Sequence, residues 1–270
     1  MSREPPILVV DAEPVTPSAR DQLAHLGTQR GLIVRRALLI GAIRGFFPLP
    51  MVDEQIASRV LAGLFGKLAG GRQVDLPPAA AAVLAAEAGT MANLTLAAAA
   101  LLLARLAGRK FLALLAAGRG AEEMARTFYR ATLFDHYCAK LHVGGPLTPD
   151  AAGRLRVAIE AELSAMTLGP ALTAFREGGR VLGRTLLEAP RWLSQRIARL
   201  AERFVRTGGN PDVLDAVIEP SDDDDTWLER AARTVEESLA GAGSDHLAKL
   251  VARFEARWRG QASQQSTHAD

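Results

Sequence analysis

The sequence predicts an all-α fold, a multi-helix bundle preceded by a short extended N-terminal arm. Composition carries the first part of that expectation: about a fifth of the 270 residues are Ala, and Ala and Leu are the strongest helix formers. Aromatic residues are only 5% of the chain and the β-branched ones are scattered, which leaves few stretches suited to strands. Periodicity carries the second part, because apolar residues recur at helical spacing in one segment after another. The length allows one large or two small domains with a sizeable core.

Residues 1–21 form the arm. Pro5, Pro6, Pro14 and Pro17 exclude both a long helix and a central strand there. Ile7, Leu8, Val9 and Val10 before Asp11 look like the opening strand of a receiver domain, but the next hundred residues read as successive helices without the alternating strands a receiver needs. An apolar helical region, 22–145, follows. Its first helix covers 22–47, where Arg35, Arg36 and Arg44 keep every uncharged run far short of the roughly 20 residues that span a bilayer. Pro48 and Pro50 then break the chain; proline lacks a donor and disfavours helix in the residue before it, so Phe47 and Leu49 should be extended. Asp53 sits where the next helix needs an N-cap or first-turn acid. Ile56, Val60, Leu61, Leu64, Phe65 and Leu68 give that helix one apolar face, and Gly70-Gly71 ends it.

Another helical stretch begins after Pro77-Pro78 and enters the uncharged run 88–104, which opens on Ala88 and closes on Ala104. Three placements stay open for it: a buried core helix of a soluble bundle, a membrane span, or a re-entrant helix paired with 111–117. Arg105, Arg109 and Lys110 suit a cytoplasmic flank or the C-terminal charges of a helix. Residues 121–143 form a helix whose Met124, Phe128, Tyr129, Leu133, Phe134, Tyr137 and Leu141 point in all directions, which predicts a central place in the core.

Gly144-Gly145-Pro146 stops that helix, and Thr148-Pro149-Asp150 supplies N-cap and N1 residues for the next. A domain or subdomain boundary is expected here, since residues 1–145 carry a net charge of +5 and the remainder −3. The second region, 146–260, reads as an amphipathic bundle with helices near 149–167, 170–207, 226–240 and 244–259. The polar tail 261–270 is expected to be disordered.

One cysteine cannot form an internal disulfide, and the first residues lack the apolar core of a secretion signal, so a cytoplasmic protein is expected. A formal charge of +2 offers nucleic acid no overall attraction, and none is expected as a partner. The 28 Arg and 4 Lys accompany an Ala excess that GC-rich coding produces by itself, so Arg abundance alone carries no functional weight. There is no phosphate loop, Gly-x-Ser-x-Gly elbow or His-Glu-x-x-His motif; no catalytic, cofactor-binding or metal-ligating residue is assigned, and no cofactor is expected.

Three constellations stand out. Asp135, Cys138 and His142, at i, i+3 and i+7, share a helix stripe and form the chain's one enzyme-like grouping, a conceivable metal site or thiolate–imidazole pair. A buried helix with polar groups satisfied by neighbours is the competing reading, because the other histidines lie apart or off that stripe. Asp222, Asp223, Asp224 and Asp225 could attract a cation, but acids before a helix are favoured by its dipole anyway. Arg196, Arg199, Arg203 and Arg206 share a stripe beside an apolar face with Trp192 near its start. That composition suits a helix lying on an anionic membrane or gripping an acidic partner; a solvated face in an Arg-biased chain is the competing reading.

The stretch Phe47-Pro48-Leu49-Pro50-Met51-Val52-Asp53 with the amphipathic run to Leu68 resembles the apolar-Pro-x-Pro-x-x-Asp segment of YcjF-like and EcsC-like bacterial proteins. The likeness covers about 25–40 residues, and an Ala-rich helix with flanking arginines replaces the Gly-rich apolar hairpin of those families. It implies a helical, membrane-associated protein, a GTPase or transporter as partner, and a purely structural role for Pro48, Pro50 and Asp53. The expected function is therefore that of a non-enzymatic accessory protein acting through protein and lipid contacts at the inner face of the cytoplasmic membrane. The alternative is a fully soluble helical scaffold or adaptor with 88–104 as its core helix, and the third reading is an enzyme or metal site at Asp135, Cys138 and His142.

Overall fold

The computed structural model describes residues 23–46, 52–86, 119–188, 228–242 and 244–267, and every regular element among them is helical. A 3-10 turn, Ala24–Leu26, leads into α1 (Gly27–Phe46); then come α2 (Val52–Gly71), α3 (Pro78–Ala85) and α4 (Arg119–His136), which a π turn, Tyr137–Leu141, prolongs. After it stand α5 (Pro149–Ser164), α6 (Gly169–Glu188), α7 (Leu228–Ala242) and α8 (Ser244–Thr267). The all-α bundle is thus as the composition predicts. The arm 1–21, the break residues Pro48 and Pro50, and the run 88–104 lie outside the described residues.

The bundle is built around α4. It packs against α1, α2, α5, α6 and α8, and every residue from Ala131 through Cys138 is buried. A helix apolar on all sides can satisfy itself only in the middle of a core. Its rings meet those of neighbours: Phe134 lies 4.7 Å from Phe65 of α2, and Phe128 lies 5.8 Å from Phe175 of α6. Two glycines bring helices unusually close. A Cβ on Gly41 would come within 2.9 Å of the Gly120 carbonyl and collide with Met124, and one on Gly178 would collide with Val235 of α7.

Local signals fix several ends. α1 stops at Phe46 and α2 starts at Val52, and the two pack against each other as separate helices. Thr148 caps α5 by accepting from the Ala151 N–H at 3.3 Å, with Pro149 in the first turn. α3 ends earlier than its Ala-rich sequence suggests: Ala86 is extended, and its carbonyl accepts from Arg156 at 3.1 Å.

The boundary expected at residue 145 is crossed by one hydrophobic core, which joins Phe65 and Phe134 to Leu155, Phe175 and Phe254. Gly-Gly-Pro marks a turn of the chain and says nothing about which faces later pack. The tail expected to be disordered from 261 is helical as far as Thr267. Gly260 is a single interruption costing about 1 kcal/mol, and the Gln, Ala and Ser residues after it tolerate helix.

Candidate functional site

The polar centre of the molecule begins with a helix end. α2 closes in a Schellman arrangement, with the Val74 N–H reaching the Ala69 carbonyl at 2.9 Å and the Gln73 N–H reaching the Gly70 carbonyl at 3.1 Å. Gln73 takes the left-handed conformation this requires, at φ 58°. The stop falls just beyond the expected Gly70-Gly71 and leaves Arg72 at the cap, facing α4. There its Nε and Nη2 donate to the two carboxylate oxygens of Asp135, each at 2.8 Å, and Nη2 also meets the His25 carbonyl. The hydrogen bond to Asp135 holds the Arg72 guanidinium above its ordinary value.

Beside this pair runs a second chain of contacts. His25 Nε2 lies 2.9 Å from His136 Nδ1, and His136 Nε2 lies 2.8 Å from Glu255 Oε1. A carboxylate only accepts, so His136 Nε2 carries the proton and its Nδ1 accepts from His25. Glu255 also accepts from Arg259 at 2.8 Å. Burial pushes His136 below its ordinary value; Glu255 and Asp135 oppose that shift and His25 adds to it. Carboxylate, imidazole and imidazole in series have the form of an acid–base relay, yet both ring nitrogens of the central histidine are spent on protein partners.

The stripe expected from i, i+3, i+7 spacing does not assemble. Asp135 turns to Arg72. Cys138 is buried, and burial, with Asp135 next and Arg72 opposing, pushes its thiol up to about 12. His142 has left the helix: its N–H closes the π turn on the Tyr137 carbonyl at 2.8 Å, its backbone is extended, and its Nδ1 sits 3.3 Å from the Tyr137 hydroxyl. A π turn widens the last turn, so heptad spacing no longer returns His142 to the face of Asp135. Among the described residues, no group of three His, Cys, Asp or Glu side chains could hold a metal ion.

Sequence reading also set the histidines apart, whereas His25 and His136 meet across 111 positions. Nothing local marks His25, Arg72 or Glu255 as members of one cluster; the only hint is a basic residue directly after a glycine helix stop. A further buried acid, Glu162 of α5, is held by Arg253 at 3.2 Å and Arg257 at 2.6 Å of α8. Such ties between α5 and α8 are structural in character.

A cleft of about 300 Å³ lies between the 3-10 turn, the start of α1, α4 and the α7–α8 corner. Trp192, Arg196, Arg199, Arg203, Arg206 and the aspartates 222–225 lie outside the described residues; Asp53 falls in the first turn of α2. No described helix is long and apolar enough to cross a membrane. No protein-family model, curated protein or solved structure matches the chain.

Proposed function

We propose that the chain is a non-enzymatic helical accessory protein that works at the inner face of the cytoplasmic membrane through protein and lipid contacts. One observation supports the non-enzymatic part above all. The ionisable groups at the centre of the described core are engaged with one another, with His136 held at both nitrogens and the Cys138 thiol pushed up to about 12. A nucleophile or general base needs a free, correctly protonated atom facing a substrate, and neither group offers one. The membrane part is supported by the sequence alone, through the stripe of Arg196, Arg199, Arg203 and Arg206 beside an apolar face. A GTPase or transporter is the partner class suggested by the resemblance at Pro48, Pro50 and Asp53.

Fractionation of cells tests this reading. Membranes are washed first with high salt and then with alkaline carbonate. Release by salt is expected, because each Arg near an anionic surface contributes about 1 kcal/mol and that attraction fades with ionic strength. Recovery of all the protein in the soluble fraction before washing would overturn the membrane part and leave the soluble scaffold. In vesicle binding, replacement of all four arginines by Glu should abolish association with anionic lipid without changing helical content. Equal binding to anionic and neutral vesicles would show the stripe to be a solvated face.

A further inference from the structure

The cleft between α1, α4 and the α7–α8 corner takes no part in the polar cluster. Its walls are mainly apolar, with Leu26, Ile33, Phe128 and Leu247 among them, and Arg30 of α1 also lines it. The Arg30 Nε is buried without a hydrogen-bond partner among the described residues. Burial pushes the Arg30 guanidinium below its ordinary value, although the nearby negative charge of Glu236 pulls the other way. Glu236 therefore supplies charge without satisfying the Nε donor, and a buried donor without an acceptor is unfavourable.

Two of the hydroxyls around the cleft have partners. Thr132 Oγ1 donates to the Phe128 carbonyl at 2.7 Å, and Tyr129 is hydrogen-bonded to the backbone of Ala171. Arg30 and the Ser244 hydroxyl are then the polar groups set against an apolar wall, a pattern that suits an anion carrying a hydrocarbon chain. The volume holds about ten non-hydrogen atoms, at the ~30 Å³ each that a water-sized group takes in a liquid.

We propose that this cleft binds a medium-chain fatty acid, its carboxylate on Arg30 and its chain along Leu26, Ile33, Phe128 and Leu247. Octanoate has the matching size. The site is independent of the membrane reading, since a protein recovered in either cell fraction can be tested for it.

Calorimetric titration of the whole chain with octanoate is expected to show one site with Kd of roughly 10 µM to 1 mM, the range open to so small a ligand. Acetate, which lacks the chain, should not bind, and 1-octanol, which lacks the charge, should bind at least about tenfold more weakly. Arg30→Met should weaken octanoate about ten- to hundredfold and leave 1-octanol unchanged. Gly27 lines the cleft, and a Cβ there meets no atom within 4 Å, so Gly27→Phe starts from open space and aims a ring at the rim. It should remove binding of both probes while circular dichroism stays that of the parent. The proposal is overturned if octanoate gives no binding at a few millimolar, if 1-octanol matches it, or if binding survives either Gly27→Phe or a folded Arg30→Met variant.

Discussion

Asp135, with no exposed side-chain surface, meets Arg72 from 63 positions away through two parallel hydrogen bonds of 2.8 Å each. The pair joins the end of α2 to the most buried stretch of α4, and the same guanidinium reaches the carbonyl of His25 ahead of α1. One arginine thus ties together three separate parts of the first half. A bidentate fork fixes orientation as well as distance, which a single hydrogen bond does not.

Removing one partner should therefore be far worse than removing both. Arg72→Met leaves a buried carboxylate without compensation and should lower the unfolding free energy by about 3–5 kcal/mol. Arg72→Met combined with Asp135→Leu replaces the pair with apolar groups and should recover most of that loss. Urea unfolding of the three proteins measures both numbers. A single variant within about 1 kcal/mol of the parent would show that the pair is not buried in solution as described.

His136 should make stability depend on pH. Its folded value lies below the ordinary 6.5, chiefly because burial disfavours the charged ring. Below pH 6.5 the unfolded chain takes up a proton that the folded chain refuses, so stability is full above that pH and falls as the pH drops towards the lowered folded value. His246, also lowered by burial, adds a contribution of the same sign. The comparison that isolates His136 is therefore with His136→Gln, whose stability should fall less between pH 7 and 5 than the parent's. Parallel profiles for the two proteins would mean that His136 does not titrate differently on folding.

How much of this was legible in the sequence follows from the range of each interaction. The cap at Thr148 and Pro149 is written in adjacent residues, and the central place of α4 follows from large apolar side chains on all its sides. The relation of His25 to His136, or of Arg72 to Asp135, exists only once α1, α2 and α4 have packed, and no spacing rule spans such separations. Spacing misled at His142 because it assumes a uniform helix, whereas the chain widens into a π turn at Tyr137. The cleft was invisible for the same reason as the cluster: Arg30, Phe128 and Leu247 belong to three distant segments.

Cys138 should behave as an inert core residue. With 7% of its surface exposed and its thiol pushed up to about 12, almost no thiolate is present at pH 8. Iodoacetamide at that pH should label the folded protein at least about a hundredfold more slowly than the urea-unfolded chain, whose thiol has a value near 8.5. Cys138→Ala should cost about 1 kcal/mol and leave any binding activity intact. Fast native labelling, or one equivalent of zinc in the purified protein that is lost on His142→Ala, would raise the enzyme reading.

Gly178 and Gly179 are neighbours on α6 with opposite expectations. A Cβ at Gly178 would collide with Val235 Cγ2 and stand 3.1 Å from the Ala231 carbonyl, so Gly178→Ala must push α7 away from α6. The cost should be about 1–3 kcal/mol, as for other overpacked contacts. A Cβ at Gly179 meets nothing within 4 Å, and there alanine only restricts the unfolded chain and favours the helix. Gly179→Ala should then stabilise by about 0.5–1 kcal/mol. Thermal unfolding of the two variants should move the midpoint in opposite directions. If both substitutions raise it, α6 and α7 are not in the close contact that Gly178 permits, and helix propensity alone governs this pair.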